Sequence, residues 1–232
     1  MEIQLPSQIT NTPIAEHRTL FTISPCYPGY GTTLGNALRR VLLSSIPGGA
    51  IVAFKIKGVD HEFSTIKHVK EDMVDVMLNL KQVRLKVFSD EPVEFHLVVT
   101  GKKKVQAKHF EKHNEVEVVN PDQVIATLTD AAAKLDMTVL VQKGIGYWPV
   151  EMRENEKLDV GYIAVDAVYT PIKNVNFKIE HVRVEQMTNY DKLMLDISTD
   201  GSISPQEALT EACSRLVNHF NLIQNSVTTV AE

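Results

Sequence analysis

Few residues in this chain have the types and spacing that chemistry requires. Gly29-Tyr-Gly31-Thr-Thr-Leu-Gly35 follows a strand-like segment and opens a helix, the setting of a phosphate-cradling loop. Its spacing is GxGxxxG rather than GxGxxG, it lacks a Gly-Lys-Ser/Thr ending, and no βαβ unit follows. It therefore reads as a turn that starts a helix. His109 and His113 are four apart, as two metal ligands on one helix face would be, but no third ligand lies at a diagnostic distance. Valines at 116 and 118 point to strand instead, so both histidines are expected in a solvated loop. Lys102, Lys103 and Lys104, with Lys108 and Lys112, form the one basic cluster. Without interleaved aromatics it reads as an exposed hairpin tip rather than a nucleic-acid platform. No carboxylate pair, GxSxG elbow or Cys/His dyad is present, so no catalytic residue, metal or cofactor is expected. Arg39-Arg40 stands out more. Arg40 and Leu43 are three apart on a side of their helix away from its apolar stripe, which suits an interface anchor and equally a plain surface arginine.

Those residues sit in a chain of 232 residues, 44% hydrophobic and 23% charged, within ordinary globular usage. Lys plus Arg number 24 against 29 Asp plus Glu, a net charge of −5, so a general nucleic-acid coat is excluded. Every apolar run is interrupted by charge well short of a membrane span, and the first residues lack the features of a secretory signal. The two cysteines, Cys26 and Cys213, form no CxxC pair. Sequence leaves their pairing open, and a reduced, cytoplasmic protein is the simpler reading.

The elements that must position these groups are legible from periodicity. Residues 17–24 read as a strand ending in Pro25, Pro28, Gly29 and Gly31. A helix follows from Thr33 to about Ile46, with Leu34, Ala37, Leu38, Val41, Leu42 and Ser45 on one face, Thr32 or Thr33 as cap and Pro47-Gly48-Gly49 as stop. From Ala50 the period becomes two. Val52, Phe54 and Ile56 alternate with Ala53, Lys55 and Lys57 as a half-buried strand, turned at Gly58–Asp60 into a short partner at His61–Phe63. Val69, Met73, Val76, Met77 and Leu80 predict a second helix. Short strands then fill the stretch from about Gln82 to Thr170, with exposed loops at 144–146 and 153–159. Longer strands are expected at Ile163–Tyr169, Asn176–Val184 and Lys192–Ser198. The last helix opens with Ser204-Pro205-Gln206-Glu207, an N-cap, a first-turn proline and a capping-box glutamate. Its apolar face is Ala208, Leu209, Ala212, Cys213, Leu216, Val217 and Phe220. The whole predicts an α+β fold with an antiparallel sheet, two amphipathic helices near the chain ends, and an inserted α+β domain. The expected boundaries are residues 1–48 with 172–232 for one domain and 49–171 for the other.

Read at motif level, Tyr30–Ala50 (YGTTLGNALRRVLLSSIPGGA) closely resembles the opening helix of the bacterial RNA polymerase alpha subunit, in its N-terminal domain. Gly58–Thr65 (GVDHEFST), Glu71–Lys81 (EDMVDVMLNLK), Val165–Phe177, Val182–Leu193 and Asp200–Leu209 (DGSISPQEAL) match the same family in order and extend over nearly the whole chain. The resemblance implies a non-catalytic assembly scaffold of the nucleotidyltransferase, built as a homodimer that recruits the beta and then the beta-prime subunit. By that likeness Leu34, Leu38, Val41 and Leu42, with Leu209, Ala212, Leu216 and Phe220, form the dimer interface. Arg39, Arg40, Leu43, Ser44 and Ser45 would face beta, while Lys81 and Val165 would face beta-prime. A Leu38→Glu change is then expected to break the dimer by burying an unpaired charge. The family's flexible linker and DNA-touching C-terminal domain have no counterpart before the QNSVTTVAE ending, so direct DNA contact is not expected. Met187 stands where the family usually shows Arg, and the basic segment near Lys102 matches poorly, so no contacts are carried to either.

Overall fold

The structure is a computed structural model, and it describes residues 3–59, 61–153 and 158–229. In chain order the elements are β1 (Gln8–Ala15), β2 (Arg18–Cys26), α1 (Tyr30–Ser45), β3 (Pro47–Ile56), α2 (Met73–Lys81) and β4 (Leu85–Val87). There follow β5 (Val93–Thr100), β6 (Lys104–Gln106), β7 (Val116–Val118), β8 (Val124–Thr127), β9 (Lys134–Ile145) and β10 (Tyr147–Trp148). The chain ends through β11 (Ile163–Ala164), β12 (Ala167–Val168), β13 (Ile172–Val184), β14 (Met187–Thr199) and α3 (Pro205–Thr229). The named strands pair only in antiparallel fashion, and the class is α+β. Two compact units divide the chain, Met1–Ile46 with Pro171–Glu232, and Pro47–Thr170.

The first unit is a four-stranded sheet ordered β1-β2-β14-β13 with α1 and α3 on one face. On β14, Leu193, Leu195 and Ile197 are buried and alternate with Met194, Asp196 and Ser198, the period-two pattern of a sheet covered on one side. Leu195 and Ile197 pack with Phe21, Leu38, Leu42, Ile46, Val175, Ala208 and Ala212 in one core. On the opposite face Arg18 grips both carboxylate oxygens of Asp196 at 2.9 and 2.6 Å. Cys26 is buried, Cys213 is exposed, and both are free thiols.

The second unit is a six-stranded sheet ordered β5-β9-β3-β4-β7 with β11 added to β3, together with the pairs β6-β8 and β10-β12. The half-buried alternation expected for β3 gives way to burial of every residue from Ala50 to Phe54. The pairing with β9 shifts between Ile51 and Ala53, a bulge that re-aims the side chains. Ile51, Phe54 and Ile56 therefore enter the main core, whereas Ala50 and Val52 pack on Ala167 and Tyr169 at the other face. Helix α2 begins at Met73 because the Asp72 carboxylate caps it, accepting the Asp75 amide at 2.7 Å. Val69 precedes the helix and bridges to Leu128 instead of joining its apolar face. Residues 61–63 form turns and bends rather than a strand, and the expected strand at 163–169 is split into β11 and β12. Asp60 of the predicted turn and residues 154–157 of the predicted loop lie outside the described residues, while Arg153 at that loop's start is buried rather than exposed.

Candidate interaction surfaces

The glycine-rich loop is explained by a carboxylate from across the sheet. Gly29 takes φ +86°, a left-handed conformation that favours glycine, and α1 starts at Tyr30, three residues before the predicted start. Neither Thr32 nor Thr33 caps it. The nearly buried Asp191 of β14 accepts the amides of Gly29 at 2.9 Å and Gly31 at 3.1 Å, and His181 lies 3.4 Å from its other oxygen. A Cβ on Gly31 would sit 2.9 Å from the Asp191 Cβ, so glycine there makes room for the carboxylate. The protein's own anion thus occupies the helix N-terminus that a phosphate would need.

Along α1 the outward side carries Arg39, Arg40, Leu43 and Ser44, all exposed. The Arg39 Nε donates to the Val175 carbonyl at 3.1 Å, which ties it to its own unit. Among the described residues the Arg40 guanidinium has no hydrogen-bond or ion-pair partner. The Ser44 hydroxyl donates to the Arg40 carbonyl at 2.7 Å and lies 3.0 Å from the Ser45 hydroxyl. The amino-terminal half of α3 is fixed by a full capping box. The Glu207 amide donates to Ser204 Oγ at 3.2 Å, and the Ser204 amide and hydroxyl donate back to the Glu207 carboxylate at 3.0 and 2.8 Å. Ala208 and Ala212 are fully buried, but beyond them the helix keeps apolar residues in water. Phe220 is 62% exposed and Val227 69%, with Val217, Leu222 and Ile223 also open.

In the second unit Lys81 at the end of α2 meets Asp166 at 2.9 Å. The same carboxylate accepts the Val150 amide at 3.1 Å and a bond from the Tyr147 side chain. The Lys81 hydrogen bond leads the effects that hold the Asp166 carboxyl below its ordinary range, against the opposing pull of burial. Tyr147 is exposed, as are Trp148 and Met152. Glu94 accepts the Tyr162 hydroxyl at 2.7 Å, and burial together with that carboxylate pushes the phenol up to about 12. His109 sits in a short 3-10 turn where its Nδ1 accepts the Gln106 amide, so it is a half-buried cap rather than a solvated loop residue. Among the described residues no three His, Cys, Asp or Glu side chains gather as a metal site, and no helix is long and apolar enough to cross a membrane.

Comparison with known proteins then bears on these surfaces. Residues 52–170 match the family described as the RNA polymerase Rpb3/RpoA insert domain. A DNA-directed RNA polymerase subunit alpha of Herpetosiphon aurantiacus is 47% identical over 209 residues, 90% of this chain and 62% of that protein. That of a Roseiflexus species is 44% identical over 234 residues, 100% of this chain and 72% of the relative. A third, from Oceanobacillus iheyensis, is 42% identical, with 96% of this chain and 71% of the relative aligned. The chain belongs to the RNA polymerase alpha-subunit family.

In this alpha-family chain the sequence-assigned residues fall into distinct places. Leu38 and Leu42 of α1 and Ala212 of α3 are buried inside their own unit, so they cannot meet a partner directly. A Leu38→Glu change would consequently disrupt that core before it reached any interface. Leu34, Val41, Leu209 and Leu216 are half-buried and Phe220 is open. Lys81 reaches the surface of its unit, but Val165 is fully buried, so its side chain presents nothing outward and the neighbouring Asp166 is what the surface offers. Sequence reasoning missed the apolar residues of α3 past Phe220. Their signal was present as a three-four repeat through 216, 220, 223 and 227. It also passed over Tyr147 and Trp148, whose exposure depends on the two-residue pairing of β10 with β12.

Proposed function

We propose that two copies of this chain pair through α1 and α3, and that the pair is the non-catalytic assembly scaffold of a cytoplasmic DNA-directed RNA polymerase. Arg39, Arg40, Leu43, Ser44 and Ser45 face the beta subunit in one copy, and Lys81 with Asp166 faces beta-prime in the other. The observation that carries this reading is the open apolar stripe Val217, Phe220, Ile223 and Val227, continuing from the half-buried Leu216. A lone chain gains nothing from holding such a row in water, and a second copy covers it at low cost. The pairing is isologous, so each stripe meets its equivalent, and large partners then choose different patches of two identical surfaces. Arg40 supports the beta assignment because its fork of donors is open for a carboxylate. The proposal gives this chain no catalytic residue and no cofactor.

The test is the solution mass by light scattering over a range of concentrations. A particle near twice 26.0 kDa is expected, and a persistent monomer overturns the scaffold. An Arg40→Ala chain should keep that mass yet lose beta on co-purification; normal recovery of beta would remove Arg40 from the interface.

A further inference from the structure

We infer that a cleft in the Pro47–Thr170 unit receives a basic side chain borne on an apolar stretch of a partner polypeptide. The inference rests on the assembly reading, since it names the chemistry of whatever meets the Lys81 face.

The cleft has a volume of about 490 Å³. Met77 of α2, Val150 and Ile163 give it an apolar floor, and Phe63, 80% exposed, stands at its mouth. Two exposed carboxylates, Glu62 and Glu151, line the same opening. A third, Asp166, is already neutralised by Lys81 at 2.9 Å, but among the described residues Glu62 and Glu151 form no ion pair, and the His61 ring that shares the lining bonds to Ser64 instead. The arrangement matches the two halves of a lysine or arginine. The aliphatic stem lies along the floor while the charged head reaches the carboxylates at the rim. Phe63 offers a ring face to the same cation. An acidic segment is repelled by the rim, and the volume leaves space for apolar residues flanking the basic one.

The deciding experiment is an NMR titration of the labelled chain with acetyl-Leu-Arg-Leu-amide and, separately, acetyl-Leu-Glu-Leu-amide, read at the Met77 and Ala164 methyls. The arginine peptide should move both signals, with an affinity that falls as salt is raised and drops about ten-fold in a Glu62→Gln/Glu151→Gln chain. The glutamate peptide should move neither. An equal response to the two peptides overturns the inference, as does silence at both methyls up to roughly millimolar peptide. Light scattering on the same sample separates the two proposals: a monomeric chain removes the scaffold, while the peptide titration still decides the cleft.

Discussion

At the scale of single residues, Asp191 links two elements of the first unit. Its carboxylate joins β14 to the start of α1 by accepting two amides that the helix cannot satisfy internally. An Asp191→Ala chain should lose about 1–3 kcal/mol of stability in urea unfolding, because two amides are left without an acceptor in a nearly closed site. Gly31→Ala should fail for a different reason, the 2.9 Å approach of the new Cβ to Asp191. Lys81 and Asp166 make a pH prediction possible. The Asp166 carboxyl is held below its unfolded value, so the pair stabilises the fold above about pH 4 and loses that contribution as pH falls through the lowered folded value. Lys81→Met should therefore cost on the order of 1 kcal/mol near neutrality, and the difference from the native chain should close in acid unfolding curves below about pH 4. A gap that persists in acid would mean that Lys81 acts through packing alone.

At the scale of elements, the helices separate fold from assembly. Ser204→Ala removes half of a capping box and should lower the melting temperature by an amount equivalent to about 1 kcal/mol. Phe220→Glu alters an exposed residue and should leave the circular-dichroism spectrum and melting of the unit intact while halving the solution mass. Leu38→Glu, in contrast, should unfold the unit, because it puts a charge where Leu42, Phe21 and Ile197 pack. The start of α3 was legible because Ser204, Pro205 and Glu207 interact within one turn. The start of α1 was not, since its cap comes from a residue 160 positions away. The strand alternation on β14 was equally readable, whereas β3 misled because a bulge and a second covering layer bury both of its faces.

Across the whole molecule, each core cluster draws its residues from one unit only. The continuous unit Pro47–Thr170 should accordingly fold when expressed alone, giving a dispersed amide spectrum and cooperative unfolding. A collapsed spectrum would show that it depends on the flanking segments. The amino-acid sequence by itself determined the α+β class, the family and the two amphipathic helices. Those features are written in periodicity, caps and motifs that act over a few residues. Only the tertiary structure decided that Asp191 fills the helix N-terminus of the glycine-rich loop. It alone turned Val165, Leu38 and Ala212 inward, and left the far half of α3 and the rim of the Glu62–Glu151 cleft open. Burial depends on what the rest of the chain brings to a position, and a helical stripe looks the same whether its cover comes from its own unit, from a second copy, or from water.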